Sequence, residues 1–283
     1  MRAYVLHGID DLRLEETTLP EIKEREVLVK VMAAGICGSD IPRIYKTGTY
    51  SYPLTPGHEF SGTVIKTGLE ADKKWMGKRV GIFPLIPCGE CEPCRKKQYE
   101  MCRHYSYLGS RTNGGFAEYA AVPEENLIEL PEEVSYEVAA MLEPMAVAVH
   151  AMRKSGVMKE NTVVVYGLGT IGLLLCMFLL DAGVRDICVI GNKEFQKRMA
   201  DSLGISETHY CDCRTREVSK WLQEQTGGRG VDVFFECVGK NETIADAIGN
   251  TAPGGTVQMV GNPASDIMLK KEIYWKILRN QLT

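Results

Sequence analysis

The stretch VVVYGLGTIGLLL, residues 163–175, decides the fold of the second half of this chain. Its glycines follow the spacing G-x-G-x-x-G, directly after an apolar run of strand length and at the start of an apolar helical run. Such glycines permit a tight turn and let backbone N–H groups approach a pyrophosphate, which the following helix N-terminus favours electrostatically. An ordinary strand-to-helix turn is the alternative, but the strand–helix–strand setting favours dinucleotide binding. The predicted cofactor residues are Gly167, Gly169, Thr170, Ile171 and Gly172.

Short apolar runs alternate with helix-length segments around and beyond this motif. This alternation predicts βαβ units and a parallel, doubly wound sheet of the Rossmann type. We expect five strands, within TVVVYG (162–167), ICVIG (187–191), THYC (208–211), VDVFFECVG (231–239) and TVQMVG (256–261).

The first third of the chain has a different pattern, in which short β-prone runs are broken by Gly and Pro. This predicts an irregular or barrel-like β domain. From Tyr136 the apolar residues recur three and four apart, which predicts helix. We expect two domains, residues 1–147 and 148–283. The predicted strands of the first lie in AYVL (3–6), EVLVKVMAAGI (26–36), SGTVIKTG (61–68), KRVGIF (78–83) and AEYAAV (117–122).

Composition excludes several classes of protein. The chain has 283 residues, a net charge of −4 and 25% charged residues, without basic blocks. It therefore offers no electrostatic footprint for nucleic acid or an anionic membrane surface. The longest apolar run, residues 171–180, is about half of the ~20 residues that span a bilayer, and predicts a core helix. The N-terminus resembles no secretion signal, so we expect a cytoplasmic protein.

Four of the ten cysteines lie in PCGECEPCRKKQYEMC, residues 87–102, at the spacing C-x2-C-x2-C-x7-C. In a reducing compartment clustered cysteines are first metal ligands, not disulfides. A thioredoxin-like pair and an iron–sulfur cluster are alternatives, but four soft ligands at short spacing favour a closed tetrahedral zinc site. Its ligands are Cys88, Cys91, Cys94 and Cys102. We expect an inert, mostly core role for Cys176, Cys188, Cys211, Cys213 and Cys237.

A second set of possible metal ligands is scattered through the first domain. Cys37, His58, Glu59 and Glu143 offer a thiolate, an imidazole and carboxylates. Three such ligands with one open position are what a catalytic zinc requires. Each residue alone is equally compatible with a structural role, because separation along the sequence says nothing about proximity.

The end of the second predicted strand of the sheet bears on the choice of cofactor. An acid there binds the ribose 2′-hydroxyl of NAD, but the strand ICVI ends in Gly191, Asn192 and Lys193. Without that acid, Lys193, Lys197 or Arg198 can meet a 2′-phosphate, which favours NADP. The alternative is that Lys193 is a solvated loop residue and that Asn192 or Glu194 binds the ribose of NAD.

Six motifs, in this order, resemble the zinc-containing medium-chain dehydrogenase/reductase family over the whole chain: GICGSD (35–40), PGHEFSG (56–62), the four-cysteine loop, GGFAEYAAVP (114–123), LEP (142–144) and GLGTIG (167–172). The chain is most similar to the polyol dehydrogenase branch, because Glu143 stands where animal and plant alcohol dehydrogenases carry a second zinc-binding cysteine. The resemblance implies a GroES-like catalytic domain followed by a Rossmann domain.

The resemblance also implies residue roles. Cys37, His58 and Glu143 match the ligands of a catalytic zinc, and Glu59 matches a residue that binds this metal directly or through water. Ser39 matches a hydroxyl that passes the alcohol proton toward solvent. The four clustered cysteines match a structural zinc site, so two zinc ions and NADP or NAD are expected per chain.

The reaction implied is hydride transfer between a polyol or polyol phosphate and the nicotinamide, for example galactitol 1-phosphate to tagatose 6-phosphate. Arg43, Lys46 and Arg111 are candidates for the substrate phosphate, or else solvated surface charges. A threonine- or butanediol-type dehydrogenase and a truncated, inactive nucleotide-binding remnant are the alternatives. The family usually continues past the equivalent of Thr283 with a sixth strand, so we expect a truncated chain whose homodimer or homotetramer contact is incomplete.

Overall fold

The computed structural model describes residues 1–263 and 265–283 of the chain. The chain divides into two compact units, Met1–Glu143 and Pro144–Thr283. The division predicted at residues 147/148 stays a prediction.

The first unit is built on a five-stranded antiparallel sheet with strand order β8-β3-β4-β5-β9. Two small hairpins, β1–β2 and β6–β7, accompany it. Apolar side chains such as Val29, Phe60 and Val80 form its core. The predicted irregular β domain is confirmed. The strands are β1 (Arg2–Gly8), β2 (Asp11–Glu16), β3 (Glu26–Gly35), β4 (Glu59–Thr67), β5 (Arg79–Ile82), β6 (Leu85–Ile86), β7 (Ser106–Tyr107), β8 (Tyr119–Pro123) and β9 (Leu127–Glu129).

Helices in the first unit are short: α1 (Asp40–Pro42), α2 (Glu92–Arg95) and α3 (Tyr136–Ala140). A longer helix, α4 (Leu142–Ser155), begins there. The sequence pattern indicated one helical stretch from Tyr136, whereas the structure interrupts it at Met141. Pro144 explains the interruption, because proline is tolerated in the first turn of a helix but not in its interior.

The second unit contains five parallel strands in the order β12-β11-β10-β13-β14, which is the Rossmann order. The predicted doubly wound sheet is confirmed. The described part of the chain has no helix both long and apolar enough to cross a membrane. The strands are β10 (Thr162–Tyr166), β11 (Asp186–Gly191), β12 (Tyr210–Asp212), β13 (Val231–Glu236) and β14 (Thr251–Met259). The helices are α5 (Thr170–Asp181), α6 (Glu194–Ser202), α7 (Val218–Thr226), α8 (Asn241–Asn250) and α9 (Lys271–Arg279).

The last strand begins earlier than its sequence pattern indicates. The apolar run starts at Thr256, but β14 starts at Thr251, where it pairs with Val231 of β13. The register then shifts, and Thr256 pairs with Val233. The residues Pro253–Gly255 lie within this irregularity. Proline and glycine are tolerated at a bulge, so the strand continues through residues that usually indicate a turn.

Candidate functional site

Cys37, His58 and Glu59 come together in the first unit. One donor atom from each, the Cys37 sulfur, a His58 ring nitrogen and a Glu59 carboxylate oxygen, all lie within 4.8 Å of one another. Strand pairing explains the convergence, because Gly35 at the end of β3 pairs with Glu59 at the start of β4. Cys37 follows that strand end by two residues, and His58 precedes β4 by one.

A buried carboxylate supports the histidine of this group. Asp40 is fully buried, and its Oδ1 lies 3.5 Å from His58 Nδ1 and accepts a 2.6 Å hydrogen bond from Arg43 Nη1. Burial opposes a positive charge on His58, but Asp40 and Cys37 outweigh it and raise the pKa of the ring to about 10. At 3.5 Å the contact does not satisfy Nδ1, which is buried without a hydrogen bond among the described residues. Asp40 is therefore the carboxylate that faces Nδ1.

Local donors surround the Cys37 sulfur. Ser39 Oγ lies 3.3 Å from Cys37 Sγ and can donate to it, and the Ser39 backbone N–H donates over 3.5 Å. The Cys37 backbone N–H in turn donates to Asp40 Oδ2 over 3.1 Å. These contacts fix the loop between β3 and α1 and orient the Cys37 sulfur.

Glu59 is buried against the end of β3. A Cβ atom at Gly35 would come within 2.5 Å of Glu59 Oε2. The Glu59 carboxylate can therefore take this position only because residue 35 has no side chain. Burial raises the pKa of Glu59; His58 opposes this rise, and Glu143 adds to it. Burial disfavours the ionised carboxylate, and a nearby cation would stabilise it.

Glu143 lies near this group but outside it. Its Oε1 accepts a 3.0 Å hydrogen bond from the Tyr107 hydroxyl, whose ring packs edge-on to His58 with centroids 5.8 Å apart. Burial raises the pKa of Tyr107, and the charge of Glu143 adds to it, so the hydroxyl stays a donor. The structure thus brings together three of the four predicted ligands and connects the fourth through Tyr107.

Asp40 and Tyr107 were missed by the sequence analysis. Asp40 had a usable signal, because it follows Cys37 by three residues in GICGSD and a ligating histidine commonly needs a carboxylate partner. Tyr107 had none, since only folding brings β7 beside His58 and Glu143.

The donors at Cys37, His58 and Glu59 fit zinc. A thiolate, an imidazole and a carboxylate are its usual ligands. An Nδ1 that faces a carboxylate leaves the other ring nitrogen for the metal, as is general for metal-bound histidines. A cation bound there would also give the buried Glu59 carboxyl, whose pKa is raised, a positive partner for its ionised form.

The four-cysteine loop fits zinc more closely. All four sulfur atoms lie within 4.8 Å of one another, and three pairs are separated by 3.4 Å (Cys91–Cys94) and 3.9 Å (Cys88–Cys94 and Cys91–Cys102). Tetrahedral zinc–thiolate sites have sulfur separations of about 3.8 Å. Backbone N–H groups, from Arg103 first, lower the pKa of Cys91 to about 6, so a thiolate forms readily. Four protein ligands leave no position for a substrate.

The three candidate phosphate ligands are differently placed. Arg43 is paired with the buried Asp40, and Lys46 is exposed. Arg111 is half-buried, with its guanidinium carbon 3.9 Å from the Tyr50 ring centroid and 4.5 Å from that of Tyr105. Its Nε is buried without a hydrogen-bond partner in the described residues.

The glycine motif forms the turn from β10 into α5. Gly167 has φ +101°, and a Cβ atom there would come within 2.7 Å of Val238. A Cβ at Gly172 would collide with the Gly167 carbonyl oxygen, whereas one at Gly169 would meet nothing within 4 Å. Gly167 and Gly172 are thus required by the protein itself, and Gly169 leaves its backbone open to a ligand at the helix N-terminus. This arrangement fits a dinucleotide pyrophosphate.

The loop after β11 carries the cofactor-selectivity candidates. Gln196 Oε1 accepts hydrogen bonds from the backbone N–H groups of Asn192 and Lys193 over 2.9 and 3.1 Å. Asn192, Lys193 and Arg198 are exposed, while Lys197 pairs with Glu207. Lys197 is therefore already engaged, and Lys193 and Arg198 are the better-placed cations.

Comparison with known proteins agrees with both halves of this description. The alcohol dehydrogenase GroES-like domain matches residues 23–132, and the zinc-binding dehydrogenase domain matches residues 170–279. Galactitol 1-phosphate 5-dehydrogenase of Escherichia coli (strain K12) is 35% identical over 274 residues, which cover 96% of this chain and 78% of that protein.

Solved structures show the same likeness. The crystal structure of galactitol-1-phosphate dehydrogenase from Escherichia coli superimposes with a TM-score of 0.93 at 33% identity, covering 100% of this chain and 82% of that one. A zinc-binding dehydrogenase from Sinorhizobium meliloti 1021 bound to NADP gives 0.91 at 29% identity, covering 99% and 82%. The chain belongs to the zinc-binding, GroES-like branch of the medium-chain dehydrogenase/reductase family, and is an NAD(P)-dependent alcohol or polyol dehydrogenase.

Proposed function

We propose that this protein oxidises a secondary hydroxyl of a polyol phosphate to the ketone and passes the hydride to NADP. The convergence of Cys37, His58 and Glu59 within 4.8 Å is the observation that carries the proposal. The similarity to a galactitol 1-phosphate dehydrogenase supports the choice of a phosphorylated polyol.

Cys37, His58 and Glu59 would hold the catalytic zinc, with Glu143 as the further predicted ligand. A zinc ion held there supplies Lewis-acid polarisation of the substrate hydroxyl. Asp40 would fix the orientation of the His58 ring and keep its Nδ1 protonated. A dinucleotide bound with its pyrophosphate at the Gly167–Gly172 turn would supply its nicotinamide as the hydride acceptor.

Ser39 is the residue that we assign to the proton. Its hydroxyl contacts Cys37 Sγ at 3.3 Å, and a serine hydroxyl has acceptor capacity left while it donates one bond. It can therefore accept a hydrogen bond from the substrate hydroxyl and relay the proton outward. Glu59, whose pKa is raised by burial, is the second group that can hold a proton at this site.

Arg111 is the phosphate ligand that we favour. The Tyr50 and Tyr105 rings both pack against its guanidinium and restrict its orientation. Tyr105 lies 6.4 Å from Tyr107, and Tyr107 lies 5.8 Å from His58, centroid to centroid, so a series of ring contacts connects Arg111 with His58. A planar, pre-oriented guanidinium suits a phosphate. Lys46, which is exposed, would be an auxiliary charge, and Arg43 would support Asp40.

The four-cysteine loop would hold a structural zinc. With four protein thiolates it has no open position for chemistry, so its role would be to fix residues 88–102 in one conformation. All ten cysteines are unpaired, which suits the reducing conditions of the cytoplasm that we propose for this protein.

A kinetic panel tests the proposal. We would compare galactitol with galactitol 1-phosphate, together with 2,3-butanediol and threonine, against NAD and NADP. We expect kcat/KM to be at least about 10-fold higher for the phosphorylated polyol, the scale of one or two charge-assisted hydrogen bonds. Equal or better turnover of butanediol or threonine would instead favour those dehydrogenase types, and nucleotide binding without any turnover would favour an inactive remnant.

Arg111→Gln separates the phosphate role from a structural one. The variant should lose most of the preference for the phosphorylated substrate while kcat/KM for the unphosphorylated polyol is unchanged. Arg103→Gln, which alters an exposed arginine paired with Glu92, is the matched control. Equal loss on both substrates would mean that Arg111 supports the fold and does not bind phosphate.

A further inference from the structure

A third cluster of potential metal ligands lies in the second unit. A carboxylate oxygen of Asp186, the sulfur of Cys188 and a ring nitrogen of His209 all lie within 4.8 Å of one another. None of these residues belongs to the candidate sites described above. Asp186 and His209 are partly exposed, and Cys188 is buried beneath them.

Strand geometry explains why the three side chains meet. Asp186 and Cys188 are two residues apart on β11 and therefore point to the same face of the sheet. Val189 of β11 pairs with Tyr210 of β12, so His209 lies beside Cys188, one position back on each parallel strand. The cluster is thus set by the register of a regular sheet.

Hydrogen bonds from neighbouring side chains orient Asp186 and His209, and they use only one of the two polar atoms of each side chain. His209 Nδ1 lies 2.9 Å from Ser206 Oγ and 3.2 Å from Thr208 Oγ1, while its Nε2 lies 3.8 Å from Asp186 Oδ1. Asp186 Oδ2 accepts a 2.6 Å bond from Thr162 Oγ1. In the described residues no hydrogen bond uses His209 Nε2 or Cys188 Sγ. Oriented ligands with outer partners of this kind are typical of metal sites.

We propose that Asp186 Oδ1, Cys188 Sγ and His209 Nε2 bind a further zinc ion, with water as the fourth ligand. The donor set suits zinc, and the 3.8 Å separation lies close to the roughly 3.3–3.8 Å between neighbouring ligands of a tetrahedral site. Asp186 begins β11, whereas Rossmann cofactors bind at the carboxyl ends of the strands. The ion would therefore join β11 to the start of β12 and take no part in hydride transfer.

Binding exchanges a proton for the metal. Cys188 is a buried thiol, and a thiol must lose its proton to bind zinc. On binding, the S–H bond breaks, a Zn–S bond forms and the proton leaves to solvent. Cys188, expected from the sequence to be inert core, thereby gains a chemical role.

The test uses the full chain, loaded with zinc and freed of loosely held metal. Titration with Zn²⁺ by calorimetry should show one further equivalent per chain. Cd²⁺ should give the ultraviolet charge-transfer band of a thiolate ligand at the same stoichiometry. His209→Ala should weaken this binding at least about 100-fold and remove the band, because it deletes one of three protein ligands, while dehydrogenase turnover stays unchanged.

His150→Ala, which removes another exposed histidine, on α4, is the matched control and should bind as the wild type does. Cys188→Ser, compared with Cys176→Ser at another buried cysteine, should lose the Cd²⁺ band selectively. No further equivalent in the wild-type chain, or full binding by His209→Ala, would overturn the proposal.

Discussion

Asp40 Oδ1 lies 3.5 Å from His58 Nδ1, and both side chains are buried. This pair joins the loop after β3 to the first residue before β4. The carboxylate also contacts Arg43 and the Cys37 backbone, so one side chain organises two of the proposed zinc ligands.

Asp40→Asn should therefore weaken zinc binding at the Cys37 site by about 10- to 100-fold, the effect usual for the outer partner of a metal-bound histidine. Zinc affinity by competition with a chromophoric chelator is the measurement. Asp72→Asn, at an exposed aspartate, is the control. Unchanged zinc affinity in Asp40→Asn would show that the pair has only a structural role.

Glu143 and Tyr107 can be separated by substitution. If Glu143 binds the catalytic zinc, Glu143→Ala should lower both zinc affinity and kcat by at least about 100-fold, because it removes a ligand. Tyr107→Phe removes only the hydrogen bond to Glu143 and should lower both quantities by about 10-fold. Zinc content and turnover measured on the same preparations decide this. Tyr4→Phe, at an exposed tyrosine, is the control. Full zinc retention by Glu143→Ala would remove it from the ligand set.

The two glycines of the nucleotide turn should respond differently to alanine. Gly169→Ala meets open space, so we expect an unchanged Tm but at least about 10-fold weaker binding of NADP, because the methyl group would occupy the approach of the pyrophosphate. Gly172→Ala collides with the Gly167 carbonyl and should lower Tm by roughly 5 °C or more. Thermal unfolding and nucleotide titration test the pair. Unweakened nucleotide binding by Gly169→Ala would contradict the proposed position of the pyrophosphate.

We propose that Lys193 and Arg198 set the cofactor preference. The double change Lys193→Ala with Arg198→Ala should lower kcat/KM for NADP by at least about 10-fold and leave NAD unaffected, because only NADP presents a 2′-phosphate to these cations. Lys197→Ala, at a lysine already paired with Glu207, should change neither value. An equal effect on both cofactors would favour the alternative in which Asn192 or Glu194 binds the ribose of NAD.

Features fixed by short-range pattern were predictable from the sequence. The glycine turn, the five parallel strands and the four-cysteine cluster each depend on residues close together in the chain. The hairpin strand β2 was not predicted because its sequence DLRLEE is mostly charged. It forms a strand because it pairs with β1. Pro144 causes the break at Met141. The helical spacing of the apolar residues around it nevertheless predicted one continuous helix.

The candidate site was less accessible to sequence reasoning. Cys37 and His58 were recognisable as ligand types, but their proximity depends on the antiparallel pairing of β3 with β4. The role of Tyr107 and the pairing of Arg43 with Asp40 depend on packing that no local pattern encodes. The cluster at Asp186, Cys188 and His209 depends on the register between β11 and β12 in the same way.

The central claim is that chemistry lies at Cys37 and His58 while the four-cysteine loop serves structure. It is tested most directly by turnover, zinc content and Tm measured together for His58→Ala and Cys94→Ser. We predict that His58→Ala still folds but loses at least about 1,000-fold in kcat, because it removes a proposed catalytic ligand. We predict that Cys94→Ser loses its structural zinc and roughly 10 °C in Tm, a larger loss of stability than that of His58→Ala. Equal loss of folding in both variants, or turnover retained by His58→Ala, would contradict the account.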